Sequence, residues 1–135
     1  MSESERAATI RNAYEAYNRG DFEAALALLD PDVEWHPPPD ALEPQPLRGR
    51  EAVREYLAPN LFDEQRAEPE EILEQGDRIL VVARTKIRGT ASGIEIEATT
   101  FHVWTVVDER AVRFETFSDR DQAVAAMKRD ADGAT

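Results

Sequence analysis

Apolar positions recur with a helical period in the first part of the chain and with a strand period in the second half. Ile10, Tyr14 and Tyr17 fall at i, i+4 and i+7, so residues 6–19 are predicted as a helix with one apolar stripe. Gly20 stands where a C′ glycine would stop that helix. Asp21 follows as an N-cap, and Ala24 three places on rules out a capping box. A second helix, 22–29, would carry Phe22, Leu26 and Leu29, with Asp30-Pro31-Asp32 ending it as a turn. Val33-Glu34-Trp35-His36 alternates like a short strand. Pro37-Pro38-Pro39 halts it, because proline cannot donate to a ladder. Residues 37–48 hold prolines at 37, 38, 39, 44 and 46 and read as a loop. A third helix, 50–58, would place Val53, Tyr56 and Leu57 on one face.

Residues 68–75, 78–88, 94–107 and 111–118 are predicted as four strands. Gly76-Asp77, the stretch from Gly89 to Gly93, and Asp108-Glu109-Arg110 supply the reversals between them. Residues 120–128 would add a terminal helical turn or two, and residues 130–135 would fray. Helix, helix, strand, helix and then an antiparallel meander is an α+β layout. The expectation is one domain over residues 1–135, ordered over about 6–128.

Strand alternation sorts the side chains into two faces. Val81, Ala83, Thr85 and Ile87 share one face of residues 79–88, and Arg84, Lys86 and Arg88 share the other. Ile94, Ile96, Ala98, Thr100, His102, Trp104 and Val106 share one face of the next strand. Glu95 and Glu97 lie on its opposite face, where the reversal brings them to Arg84, Lys86 and Arg88. Opposite charges across a pair support that register, with the charged face outside. His102 thus lies on the apolar inner face. A buried imidazole needs a partner or a ligand, and a neighbouring carbonyl or hydroxyl would satisfy it as well as a substrate would. On the outer face Phe101, Val103 and Phe117 form an apolar stretch, which predicts a homodimer through the sheet.

Composition narrows the function classes. The net charge is −12, from 28 acidic and 16 basic residues, which disfavours nucleic acid and anionic membrane surfaces as partners. There is no cysteine, so thiolate metal sites and cysteine nucleophiles are excluded. No apolar run suits a membrane span or a secretory signal, and a cytoplasmic location is the expectation. His36 with Glu34 and Asp32 lacks a fixed ligand spacing, so no metal is expected there. Glycine-rich phosphate loops and nucleophile-elbow motifs are absent from the chain.

The segments AYEAYNRGDFEAALALLDPDVEWHPP, LRGREAVREYL and VRFETFSDRDQAVAAM resemble the SnoaL-like proteins of the nuclear transport factor 2-like superfamily. The likeness runs over about residues 6–128. It implies a cone: a strongly bent, mostly antiparallel sheet wrapped on three helices from the N-terminal half, with a pocket at one end. Tyr14 or Tyr17, Trp35, Tyr56, Thr100, His102, Trp104, Phe114, Thr116 and Ser118 would line that pocket. The ketosteroid isomerase relatives use a carboxylate base after the first strand, where Pro37 stands here, one step beyond His36. Their oxyanion tyrosine falls on Ala13, next to Tyr14, and their protonated aspartic acid on Thr100 or His102. The limonene epoxide hydrolase relatives use an Asp-Arg-Asp set. Arg84 matches the arginine but faces outward by parity, and Lys86 and Thr116 replace the aspartates. The polyketide cyclase relatives pair a histidine with an aspartate near the end of the sheet, here His102 and Asp119.

Two functions follow from the resemblance. One is a cofactor-independent cyclase, isomerase or lyase acting on a small hydrophobic carbonyl compound. His102 would be its general acid/base, with Tyr14, Tyr17 or the Trp104 indole polarising the substrate oxygen. The other is a non-catalytic pocket for a small apolar ligand, walled by Trp35 and Trp104. An interaction module working through the outer sheet face is the third expectation.

Overall fold

The computed structural model describes residues 4–37, 45–57, 62–89 and 93–128, with the side chains of Tyr56, Leu57 and residues 62–65 left aside. The middle of the proline loop, the tip of the 89–93 reversal, the expected pocket role of Tyr56 and the expected fraying of 130–135 lie outside the described residues.

Ser4 opens α1 (Glu5–Asn18) by accepting the Ala7 N–H at 3.0 Å. The helix buries Ala7, Ile10, Ala13, Tyr14 and Ala16 on one stripe. Gly20, at φ +82°, closes it in the predicted way. The N–H groups of Gly20 and Asp21 reach back to the carbonyls of Tyr17 and Ala16, a Schellman pair. Asp21 then caps α2 (Phe22–Ala27) through the Ala24 N–H.

That second helix is two residues shorter than predicted, because Leu29 already belongs to β1 (Leu29–His36). The Asp30-Pro31-Asp32 turn is therefore corrected to an irregular strand entry. The pairing of β1 with its parallel neighbour slips between Leu29 and Glu34, and the Asp30 carboxylate takes the Asp32 N–H. Local turn chemistry survives, but the backbone stays extended to seat Leu29 and Val33 in the core. A two-residue strand, β2 (Leu47–Arg48), pairs with β1 and leads through Gly49 into α3 (Arg50–Leu57).

The meander follows as β3 (Phe62–Gln75), β4 (Arg78–Gly89), β5 (Glu95–Val107) and β6 (Arg110–Phe117), and α4 (Arg120–Lys128) ends the described chain. The six strands order as β2-β1-β6-β5-β4-β3, antiparallel except for β1 beside β6. This is the expected α+β class, a curled sheet wrapped on helices. The strand β3 starts six residues before the predicted one, since its polar opening gives no alternation. Pro69 sits within it beside a bulge, which an edge strand tolerates. The predicted register between β4 and β5 holds: Lys86 faces Glu97, Arg88 faces Glu95, and Arg84 makes ion pairs with Glu70 and Glu97.

Two expectations about coverage are overturned. Ile94 and Ile96 share the inner face as predicted but are 61% and 59% exposed, because the β4–β5 hairpin runs out past the core. The outer face shows the reverse. Val103 is fully buried, packed with Leu80 under Ala123, Ala126 and Met127 of α4, while Phe101 and Phe117 pack at its margin. Of the apolar stretch that predicted a sheet-face dimer, Val103 is covered within the chain, while Phe101 and Phe117 stay partly exposed. Asp119 caps this helix by accepting the Asp121 N–H, and Arg78 donates to the Ala126 carbonyl near its end.

The β5–β6 turn carries strain. Asp108 and Glu109 have φ of 52° and 66°, a conformation that suits Asp-Gly far better than Asp-Glu. Glu109→Gly is expected to raise stability by about 0.5–1 kcal/mol, measured by urea unfolding.

Candidate functional site

Inside the curl the inner faces of β1, β3, β4, β5 and β6 and the facing sides of α1 and α2 enclose a cavity of about 290 Å³. Of the expected lining residues, Tyr14, Tyr17, Trp35, Thr100, His102, Trp104, Phe114 and Thr116 border it. Ser118 and Asp119 do not: both are exposed beyond the end of β6, and the Asp119 carboxylate is engaged at the start of α4. Sequence reasoning missed Ala13, Ala25, Leu26, Leu29, Arg66 and Ala67 as lining residues. The small and aliphatic ones carry no chemical signal of their own, and Arg66 lies in the part of β3 ahead of the predicted strand. Thr85 and Ile87 also line it, and strand parity had already put them on the right face.

Among the described residues no carboxylate lines the cavity. Its wall is aromatic. Trp35 stacks on Phe114 at 3.9 Å between ring centroids, and Trp104 meets both, edge-on to Trp35 and tilted to Phe114. Tyr17 stacks on Phe22. Arg66 borders the pocket at the sheet edge, but its guanidinium is paired with Glu68. Arg84 lies outside, as parity required. His36 faces away beside Glu34, and Pro37 is buried and offers no ionisable group.

The polar groups inside form one directed chain. Trp104 Nε1–H donates to the Tyr14 hydroxyl at 3.0 Å. The Tyr14 hydroxyl lies 2.5 Å from His102 Nδ1, and His102 Nε2 lies 3.2 Å from Thr100 Oγ1. An indole nitrogen can only donate, so the Tyr14 oxygen accepts there and sends its single hydrogen to Nδ1. His102 then carries its own hydrogen on Nε2 and gives it to Thr100. The opposite tautomer would leave the buried Tyr14 hydrogen without an acceptor. The Thr100 hydrogen is left over, with no other acceptor for it among the described residues. Thr116 stands opposite His102 in the ladder and also lines the pocket.

Burial sets the charge state. His102 is 8% exposed, and desolvation pushes its pKa down to about 4, so the imidazole is neutral at pH 7. The same burial drives the Tyr14 phenol well above its usual range, against the opposing effect of the Trp104 hydrogen bond. Tyr14 therefore stays protonated. The expected use of the Trp104 indole on substrate is corrected: that N–H is spent on Tyr14. Beside Trp104 the buried Trp35 Nε1 has no partner among the described residues.

A curled sheet closing on an aromatic-walled cavity is a nuclear transport factor 2-like architecture. The chain belongs to the SnoaL-like domain family, whose sequence pattern it matches over residues 10–114. Among solved structures it is similar to a protein of unknown function from Burkholderia pseudomallei that carries the nuclear transport factor 2-like name. That match has 30% identity and a TM-score of 0.77, over 93% of this chain and 99% of the other. TerC, crystallised with polyporic acid, matches at 27% identity and TM-score 0.76 over 94% and 100%. IdmH of Streptomyces antibioticus, a candidate polyketide cyclase, matches at 26% and 0.72 over 90% and 97%. A comparison with curated proteins finds no match. No helix among the described residues is long and apolar enough to cross a membrane.

Proposed function

We propose that this protein takes a small, uncharged, hydrophobic carbonyl compound into the pocket and polarises its oxygen with the Thr100 hydroxyl. The observation that carries this reading is the directed chain Trp104→Tyr14→His102→Thr100, which ends on a hydroxyl hydrogen at a mostly apolar cavity. Each link is neutral, so a neutral acceptor suits it better than an ion. The aromatic wall favours a planar, conjugated ligand. TerC was crystallised with polyporic acid and IdmH is a candidate polyketide cyclase, and the likeness to both supports a small organic ligand.

A hydroxyl aimed at a carbonyl oxygen stabilises charge that develops there, which ring closure and enolisation both require. His102 acts in this reading as a positioning residue, not as the free acid/base expected from its residue type. A group with a pKa of about 4 is a weak base at neutral pH, and Nδ1 already accepts from Tyr14. Turnover of the cyclase or isomerase type then suits substrates whose carbon acid is already activated, such as a methylene between two carbonyls. Uptake without turnover is the second reading, and the cavity wall without carboxylates favours it.

A conjugated β-diketone such as benzoylacetone tests both. Calorimetric titration should give saturable binding that Thr100→Val weakens about tenfold, the value of one neutral hydrogen bond. Equal affinity in wild type and Thr100→Val would refute the assignment of the oxygen to Thr100. Chromatography of the incubated diketone separates turnover from simple uptake.

A further inference from the structure

We propose that the apolar inner face of the β4–β5 hairpin beyond the cavity is a second subsite, which takes the alkyl tail of an elongated ligand whose carbonyl head sits at Thr100. This rests on the reading of the pocket as a carbonyl site. The cavity, at about 290 Å³, lies at the lower end of ligand-pocket sizes and ends at Ile87 along β4. The ladder does not end there. Ile96 stands directly opposite Ile87, and Ala98 opposite Thr85, with no slip between β4 and β5. Parity places Thr100, Ala98 and Ile96 on one face in unbroken succession, and Ile94 stands just before the strand begins. Cross-strand partners of this kind have Cβ atoms about 5 Å apart, so the apolar surface continues from the cavity wall onto Ile96.

That continuation is exposed: Ile96 is 59% and Ile94 61% accessible, while Glu95 and Glu97 of the same strand turn to the opposite, charged face. Four residues of extended strand separate Thr100 from Ile96, roughly 13 Å. A ligand reaching that far exceeds what the cavity holds, and its protruding part would lie on isoleucine rather than in water. The occupant is a neutral alkyl chain rather than a charged one. The cations of this hairpin are on the other face, where Arg84 and Arg88 are paired with glutamates.

The test uses straight-chain methyl ketones, from methyl butyl ketone to methyl dodecyl ketone, titrated calorimetrically into wild type and into the Ile94→Ser/Ile96→Ser variant. Both substitutions are at exposed positions, so the fold is retained and a thermal melt verifies it. In wild type, affinity should keep rising by about threefold per methylene after the cavity is full. In the variant that rise should stop, with the short ketones binding as in wild type. Short ketones that bind while longer ones gain nothing, or an unchanged rise in the variant, would overturn the tail subsite and leave the carbonyl site standing. Failure of every ketone to bind wild type would overturn both. Sedimentation runs alongside: a wild-type dimer that the variant loses would assign the isoleucines to a second copy and overturn the proposal.

Discussion

Tyr14→Phe should cost about 3 kcal/mol of stability, read as a shift of the urea midpoint at unchanged slope. The substitution keeps the ring and removes one oxygen, so its packing penalty is small. What it breaks is a double contact. The Trp104 N–H loses its acceptor and His102 Nδ1 loses its donor, and both residues are buried. Each stranded group carries a desolvation penalty of about 1–3 kcal/mol, and no other described group is placed to replace the hydroxyl. The His102 pKa should also rise from about 4, because the hydrogen bond that selects its neutral form is gone. Proton NMR of the imidazole measures this directly. Adding His102→Leu should recover part of the lost stability, since it removes the orphaned acceptor. A loss below about 0.5 kcal/mol for Tyr14→Phe would mean that the hydroxyl does not join Trp104 to His102.

Acid should destabilise the protein through His102 by roughly 3 kcal/mol between pH 6.5 and 4. The folded pKa is depressed from 6.5 to about 4 by burial. Within that window the unfolded chain binds a proton that the folded chain refuses. The contribution is therefore complete above pH 6.5 and is lost as pH falls through the window. Carboxylates elsewhere titrate in the same range, so the measured quantity is the difference between wild type and His102→Gln at each pH. That difference should shrink toward acid, with most of the change complete near pH 4. A difference that stays flat from pH 7 to 4 would mean that the imidazole titrates as freely as in an unfolded chain.

Most of the fold was legible because its signals are local. Ile10, Tyr14 and Tyr17 mark one helix face whatever they pack against, and Gly20 needs only its own backbone to form the stop that the structure contains. The period of two assigned Thr100, His102 and Trp104 to one face, and the facing charges of Lys86 and Glu97 set the register. Where local signals competed with tertiary packing, packing won. Asp30-Pro31-Asp32 has the composition of a turn, yet Leu29 and Val33 are worth more in the core than in a helix end. Residues 62–67, polar from 63 to 66, show no alternation and still form an edge strand, because β4 offers them a ladder.

The site divided along the same line. Alternation sufficed to point His102 inward and to exclude Arg84, since a strand has only two faces. It could not say which apolar positions are covered. Val103 and Ile96 both look like surface or core by pattern alone. The answer depends on where α4 lands and where the helices under the hairpin stop. Nor could it assign Asp119, whose carboxylate is of the type a cyclase needs but serves as a helix cap.

The sequence by itself determined the α+β layout, the family likeness and the inward direction of Thr100, His102 and Trp104. Each of these rests on periodicity or on near neighbours along the chain. Only the tertiary structure decided what His102 is. Tyr14 reaches it from 88 residues away, and the Trp104 indole, which can only donate, orients the whole chain toward Thr100. Protonation state and hydrogen-bond direction depend on burial and on partners brought together by folding, and residue type alone carries neither.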